Sequence, residues 1–364
     1  MRGRSIRGAI IAVVLIGAII FAGVYYAWNT ATDIFQPVTA NGTGKVIPIR
    51  IFPGETTAQI ADDLQAKGLI RNALAFRVWA RIKGLDTQLQ AGGYDHLNTS
   101  MTISDIINQL LNATPDVLYV TIPEGYRIQQ IARAFANAGL VKFNQQDFLN
   151  YTLHPDQFPD ASKYPVLKFI PHGDSMEGLL FPATYDIPVD GTARDVVNRL
   201  LTAFDDYVQQ NNLVAMAQAH AENEYQMVIL ASLVQREITN NNDAHGVAGV
   251  YWNRWKNNVS NDTAGYLGSD PSVEYARDSQ NPPKTYWLPL SDAGKNIATN
   301  SAWNTYLNQG LPPTPICSPG LATLEGAASP TKSPYFYFFS TKSGSIVYAT
   351  TYNEFLQKYQ QSGQ

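Results

Sequence analysis

A chain of 364 residues with 45% apolar side chains is long enough for two domains with real cores, and its composition excludes a largely disordered protein. Its 26 basic and 30 acidic residues leave a net charge of -4, and no basic run with interleaved aromatics appears, so nothing draws it toward nucleic acid. Cys317 is the only cysteine, which excludes both a disulfide framework within the chain and a cysteine zinc site.

The first element is the run GAIIAVVLIGAIIFAGVYYAW, residues 8–28, which carries no charge. A helix of that length spans roughly 30 Å, about the hydrocarbon thickness of a bilayer. Arg2, Arg4 and Arg7 precede it, so the positive-inside tendency predicts a cytoplasmic tail over residues 1–7 and an external location for everything after Trp28. A cleaved signal peptide is the rival reading. The apolar run is long for one and no small-x-small site flanks it, which favours an uncleaved anchor and a single-pass membrane protein. Residues 29–45 are polar and rich in Thr, Asn and Gly, the chemistry of a linker.

Folding is expected from Val46. IFPGETTAQIADDLQAKGLI, from Ile51, and TIPEGYRIQQIARAFANAGLV, from Thr121, match at an offset of 71 residues, with Gly54 over Gly125 and Gly68 over Gly139. Each copy reads as a strand, a Pro/Gly turn, a helix with apolar residues at i, i+4 and i+8, and a glycine suited to a C-cap. Between them a helix carries Ile103, Ile106, Ile107 and Leu110 on one stripe. Repeated strand-helix units of this kind resemble LysM modules, which bind N-acetylated glycans; the alternative is a packing scaffold for the next domain.

From Tyr151 to Asp190 the composition shifts to Pro, His and aromatic residues and reads as a structured connection. Periodicity then predicts helices over 192–210, 223–239 and 247–256, a long polar stretch, the loop GLPPTPICSPG from Gly310, and a short helix from Leu321. The strands YFYFFS and SIVYATT form a hairpin turned at Gly344, and a last helix starts at Asn353.

The helix ending in ILASLVQRE carries the oddest residue. At 100° per residue from Met227, Glu237 projects at about 280°, between Leu233 at about 240° and Leu230 at about 300°, while Ser232, Gln235 and Arg236 lie between about 80° and about 180°. Asn240, Asn241 and Asn242 end the helix, which sets Glu237 beside unsatisfied carbonyls at the negative end of the dipole. Desolvation and the dipole both raise a carboxyl pKa, giving the protonated state that a general acid needs. A side chain that bends outward into water is the alternative.

ILASLVQRE, DAHGVAGVYWNRW, GSDPSVEYA, WNTYLNQGLPPTPICSPGLATLEGAASPTKSPYFYFF and SIVYATTYNEF, together with FPG, AGGYD, MTISDII and PEGYR earlier, resemble in order the endolytic murein transglycosylases, the MltG or YceG-like family. The resemblance covers nearly everything from Val46 onward. It implies an α+β protein with an N-terminal transmembrane helix, a LysM-like glycan-binding region over 46–145 and a mixed α+β catalytic domain over 146–364. It also implies a membrane-held lyase that cuts peptidoglycan glycan strands between MurNAc and GlcNAc, with Glu237 as acid and then base and without metal or cofactor. Peptidoglycan synthases become candidate partners. Where many members have two glutamates in the helix this chain has Gln235 and Glu237, and where members often have Gln-Thr-Asp it has Gly268, Ser269 and Asp270.

Other candidates are weaker. Asp270, with Glu274 nearby, could supply the second carboxylate of a hydrolytic muramidase, or simply form a turn before Pro271. Asn253 and Arg254 suit a sugar's acetamido or lactyl group, and Arg254 equally suits a helix salt bridge. The resemblance places Asn304, Thr305 and Tyr306 at the cleft, and Glu177 matches its E-G-x-x-(F/W)-P element. The five histidines show no H-E-x-x-H spacing, and Ser232 lacks a G-x-S-x-G elbow. A glycan-binding scaffold without catalysis, recruiting synthases, is the reading from another class.

Overall fold

The computed structural model describes residues 33–39, 44–113, 117–256, 263–290 and 300–363. The apolar run 8–28, the tail before it and most of the linker lie outside them; among the described residues no helix is long and apolar enough to cross a membrane. The chain is mixed α+β and divides into two compact units, one up to Asp116 and one from Val117 onward.

In the first unit β1 (Ile49–Ile51) runs antiparallel to β2 (Gly92–Tyr94), with Arg50 opposite Gly93. Three helices cover the pair: α1 (Thr57–Ala66), α2 (Ala73–Ile82) and α3 (Ile103–Leu110). Local chemistry sets their ends. Thr56 and Gln59 form a capping box on α1, Thr102 and Asp105 do the same for α3, and the Asn72 side chain accepts from Ala75 N at 2.9 Å to start α2. The predicted stripe Ile103, Ile106, Ile107 and Leu110 is buried with Ile60, Leu64, Phe76 and Tyr94.

The second copy of the strand-turn-helix unit opens the second unit. β3 (Val117–Thr121) leads through a turn to α4 (Ile128–Ala136), and the paired glycines keep the same left-handed backbone in both copies: φ is 89° at Gly54 and 78° at Gly125, then 73° at Gly68 and 87° at Gly139. The division nevertheless falls at Asp116 and Val117, not at residue 145. β3 pairs antiparallel with β4 (Thr184–Pro188), and Ile128, Ile131 and Phe135 of α4 enter the second unit's core.

The connection between them holds α5 (Gln145–Leu153) and three short 3-10 turns. Next come α6 (Ala193–Gln210) and α7 (Leu213–Ala219). α8 (Glu224–Glu237) is the centre of this unit: from Met227 to Val234 every residue is buried, so the helix has no wet face and is wrapped by neighbours all round. α9 (Ala244–Lys256), α10 (Asp270–Gln280) and α11 (Leu321–Ala328) pack against it. The polar stretch expected to be loop therefore contains α10, with Pro271 in its first turn, where a missing N–H costs nothing. β5 (Tyr337–Ser340) and β6 (Ile346–Ala349) form the hairpin, and α12 (Tyr352–Gln361) lies on it through aromatic rings.

Candidate active site

α8 ends because Ile238 leaves helical geometry, at φ -107° and ψ 149°, so Glu237 is its last residue. Its side chain does not swing free into water. Oε1 accepts a hydrogen bond from the Tyr251 hydroxyl at 2.6 Å and from Ser269 Oγ at 3.3 Å. Tyr251 comes from α9 and is 1% exposed; Ser269 precedes α10 and is fully buried. Both donors converge on one carboxylate oxygen, so a proton on this group belongs on Oε2.

Burial raises the Glu237 pKa most, and the nearby Asp270 raises it further; the bonds from Tyr251 and Ser269 and the charge of Arg254 oppose this without reversing it. The Tyr251 phenol is held well above its ordinary range, first by burial and then by Glu237, so it stays protonated and available as a donor.

Glu237 opens onto a cleft of about 560 Å³ whose lining includes Arg254, Asp270, Tyr306, Tyr337 and Tyr352. Four residues proposed from sequence are thus brought together: Glu237, Arg254, Asp270 and Tyr306. Asp270 accepts from the Tyr306 hydroxyl at 2.6 Å, which ties the start of α10 to the loop before the prolines. Arg254 braces two walls, donating Nε to Phe336 O at 2.6 Å and Nη1 to Leu267 O. Its charge lies among the rings of Tyr251, Tyr337 and Phe338, with centroids 5.8, 5.5 and 6.0 Å away.

The other four proposed residues do not line this cleft. Asn253 donates Nδ2 to Ser333 O at 2.8 Å and to Tyr335 O at 2.9 Å, pinning residues 333–335 along α9. Buried Thr305 accepts from Ser269 N at 2.9 Å and bonds Ser272 Oγ at 2.8 Å, clasping the wall from behind. Buried Asn304 shapes the turn by accepting from Tyr306 N at 3.0 Å. Glu177 accepts from Ile128 N at 3.1 Å at the start of α4, and burial pushes its pKa up to about 8 although Arg127 lowers it.

The two departures from the resemblance acquire physical reasons. Gln235 accepts from Gly320 N at 2.8 Å and Thr323 Oγ1 at 2.9 Å while donating to Glu124 at 3.2 Å. That combination needs an amide, since a carboxylate there would face the Glu124 carboxylate. Gly268 adopts φ 61° on the cleft lining, a conformation that strains any residue with a Cβ.

Sequence reasoning missed Tyr251, Ser269 and the aromatic wall. The signals existed: Tyr251 sits three residues before Arg254 on the same helix face, Ser269 precedes Asp270, and Tyr352 and Phe355 are one turn apart. Among the described residues no group of three or more His, Cys, Asp or Glu side chains is placed to hold a metal.

The family model described as the YceG-like family matches residues 49–361. An endolytic murein transglycosylase of Bacillus subtilis is 30% identical over 332 residues, covering 88% of this chain and 86% of its own length. One from Streptococcus pneumoniae serotype 2 is 28% identical over 372 residues, 94% of this chain but only 63% of the relative. The solved structure of a yceG-like protein from Listeria monocytogenes aligns with TM-score 0.55 and 27% identity, covering 87% of this chain and 100% of that one. With the match running from β1 to the end of α12, the chain belongs to the YceG-like family.

Proposed function

We propose that this protein is an endolytic lytic transglycosylase that cleaves the bond between MurNAc and GlcNAc in peptidoglycan. One observation carries the reading: Glu237 sits at an open cleft with both internal donors on Oε1 and with burial favouring its protonated form. Protonated Oε2 gives its hydrogen to the glycosidic oxygen as that bond to the MurNAc C1 breaks. The carboxylate left behind offsets the positive charge developing on the sugar, and Asp270 in the same cleft adds to that field. Glu237 then takes the proton from the MurNAc 6-hydroxyl as its oxygen bonds C1. The product is a 1,6-anhydro end, no water is consumed, and Glu237 returns to its starting state.

In this reading residues 8–28 hold the protein in the cytoplasmic membrane with the described units on the outer side, beside newly polymerised strands. Tethering raises the local concentration of enzyme around those strands, which suits a role in ending their elongation and an association with peptidoglycan synthases. The strand-turn-helix unit before Asp116 supplies a LysM-like contact to glycan.

The test is digestion of purified sacculi by the full chain, with products weighed by mass spectrometry. Anhydro ends are expected, and Glu237→Gln should lower their release by about a thousandfold with an unchanged circular dichroism spectrum. Reducing ends carrying an added water would instead make Asp270 the water-activating base of a muramidase. Release at the unmodified rate by the Gln variant would remove Glu237 from the chemistry.

A further inference from the structure

The described part of the chain closes with an element that makes poor sense as packing alone. α12 carries Tyr352, Phe355, Leu356 and Tyr359, yet no residue of the helix is buried. Tyr352 is 50% exposed. Apolar side chains on a terminal helix normally stabilise it by leaving water, and here the largest rings stop halfway.

Their arrangement is orderly. Tyr337 of β5 stands 5.8 Å from Tyr352 and 5.9 Å from Phe355, and the last two are 5.9 Å apart with planes only 14° from parallel. All three rings line the cleft that contains Glu237. So do Tyr306 and Tyr266, which are 41% and 37% exposed. Tyr306 is fixed by its bond to Asp270, leaving its ring as a firm surface.

We propose that Tyr337, Tyr352 and Phe355 form a stacking platform that binds pyranose rings of the glycan strand beside the scissile bond. The proposal deepens the transglycosylase reading and rests on it. Aromatic faces suit this ligand because a pyranose presents an apolar C–H face that stacks on a ring, while its hydroxyls stay hydrated at the edge. Two features of the platform fit a polymer better than a small ligand. The rings are mutually supported, so little freedom is lost on binding, and stacking tolerates variation in the substituents along a strand. Tyr352 leaves half of its surface in water, so packing alone does not account for its ring, whereas Phe355 also braces buried Phe339 at 5.7 Å.

The experiment uses full-length protein and peptide-free glycan strands. In the Glu237→Gln background, strand binding by calorimetry should weaken roughly tenfold for Tyr352→Ala and further for the double change with Phe355→Ala, the size expected for lost stacking contacts. In the active protein the same changes should raise KM and leave kcat within about twofold, a uniform binding loss. Tyr352→Phe keeps the ring and should behave as the unmodified protein. Unchanged KM and affinity in Tyr352→Ala would overturn the platform while leaving the transglycosylase reading intact. If the unmodified protein neither binds nor cleaves strands, both fall. Should the double variant unfold, Tyr352→Ala alone decides, since half of that residue's surface is already exposed to water.

Discussion

Tyr251 and Ser269 both donate to the same oxygen of Glu237, and in the proposed mechanism this asymmetry gives the acid a direction. Hydrogen bonds to a carboxylate favour its ionised form, so Tyr251 lowers a pKa that burial raises. Tyr251→Phe removes the lowering partner. The Glu237 pKa then climbs, the protonated acid survives to higher pH, and the alkaline limb of kcat/KM against pH should move upward. The plateau should fall roughly tenfold as the carboxyl loses its anchor. A limb that stays put or moves down would show that the phenol does not act on the acid. Residue-level legibility was uneven for a physical reason. Asn253, Arg254, Asn304, Thr305 and Tyr306 belong to the same two blocks of sequence, and an amide that ties down backbone looks identical in sequence to one that faces a cleft. Only the spatial neighbours separate them.

Elements were readable wherever one apolar stripe or one capping pair dominated, as in α1, α3, α4, α6 and the hairpin. α2 escaped because it carries two stripes: Ala75, Phe76 and Ala80 are buried, while Leu74, Val78 and Ile82 are exposed on the other side, so no single period stands out. α10 escaped for the opposite reason. It buries Ser272, Glu274 and Asp278 along with Val273, Tyr275 and Ala276, so polar and apolar positions are buried together and no apolar stripe stands out. Its proline reads as a loop unless it is placed in the first turn. α9 shows what positions the site. Thr331 N donates to His245 O at 3.0 Å, and a Cβ at Gly249 would stand 2.3 Å from Thr331 O, so the segment toward β5 runs directly over the helix backbone. Gly249→Ala must push the two apart, carrying Tyr251 and Arg254 with α9. A cost of about 1–3 kcal/mol is expected in denaturant melts, with a lower cleavage rate under conditions where the variant is still folded. Unchanged stability would mean that the close approach is not maintained in solution.

At the scale of the molecule, every residue of the cleft lies after Val117. The core of the second unit draws on its own helices, from α4 to α11, and the strand β3 at its start is paired within it. A chain beginning at Val117 should therefore melt cooperatively and cleave soluble glycan strands within about tenfold of the full chain, as assayed by product release. A far larger loss would show that catalysis needs the preceding unit. The overall α+β class was legible in sequence, but the division at Asp116 was not, because the two strand-turn-helix copies are alike in pattern and differ only in which distant strand each one pairs with. Glu237, meanwhile, stands at the tip of a rod whose flanks are solid on all sides, while the tyrosines around the opening touch water. In the proposed reaction the proton donor is thus held by the packed interior while the rings that would meet the strand stand at the water's edge, so the point of cutting and the points of grip come from separate parts of the fold.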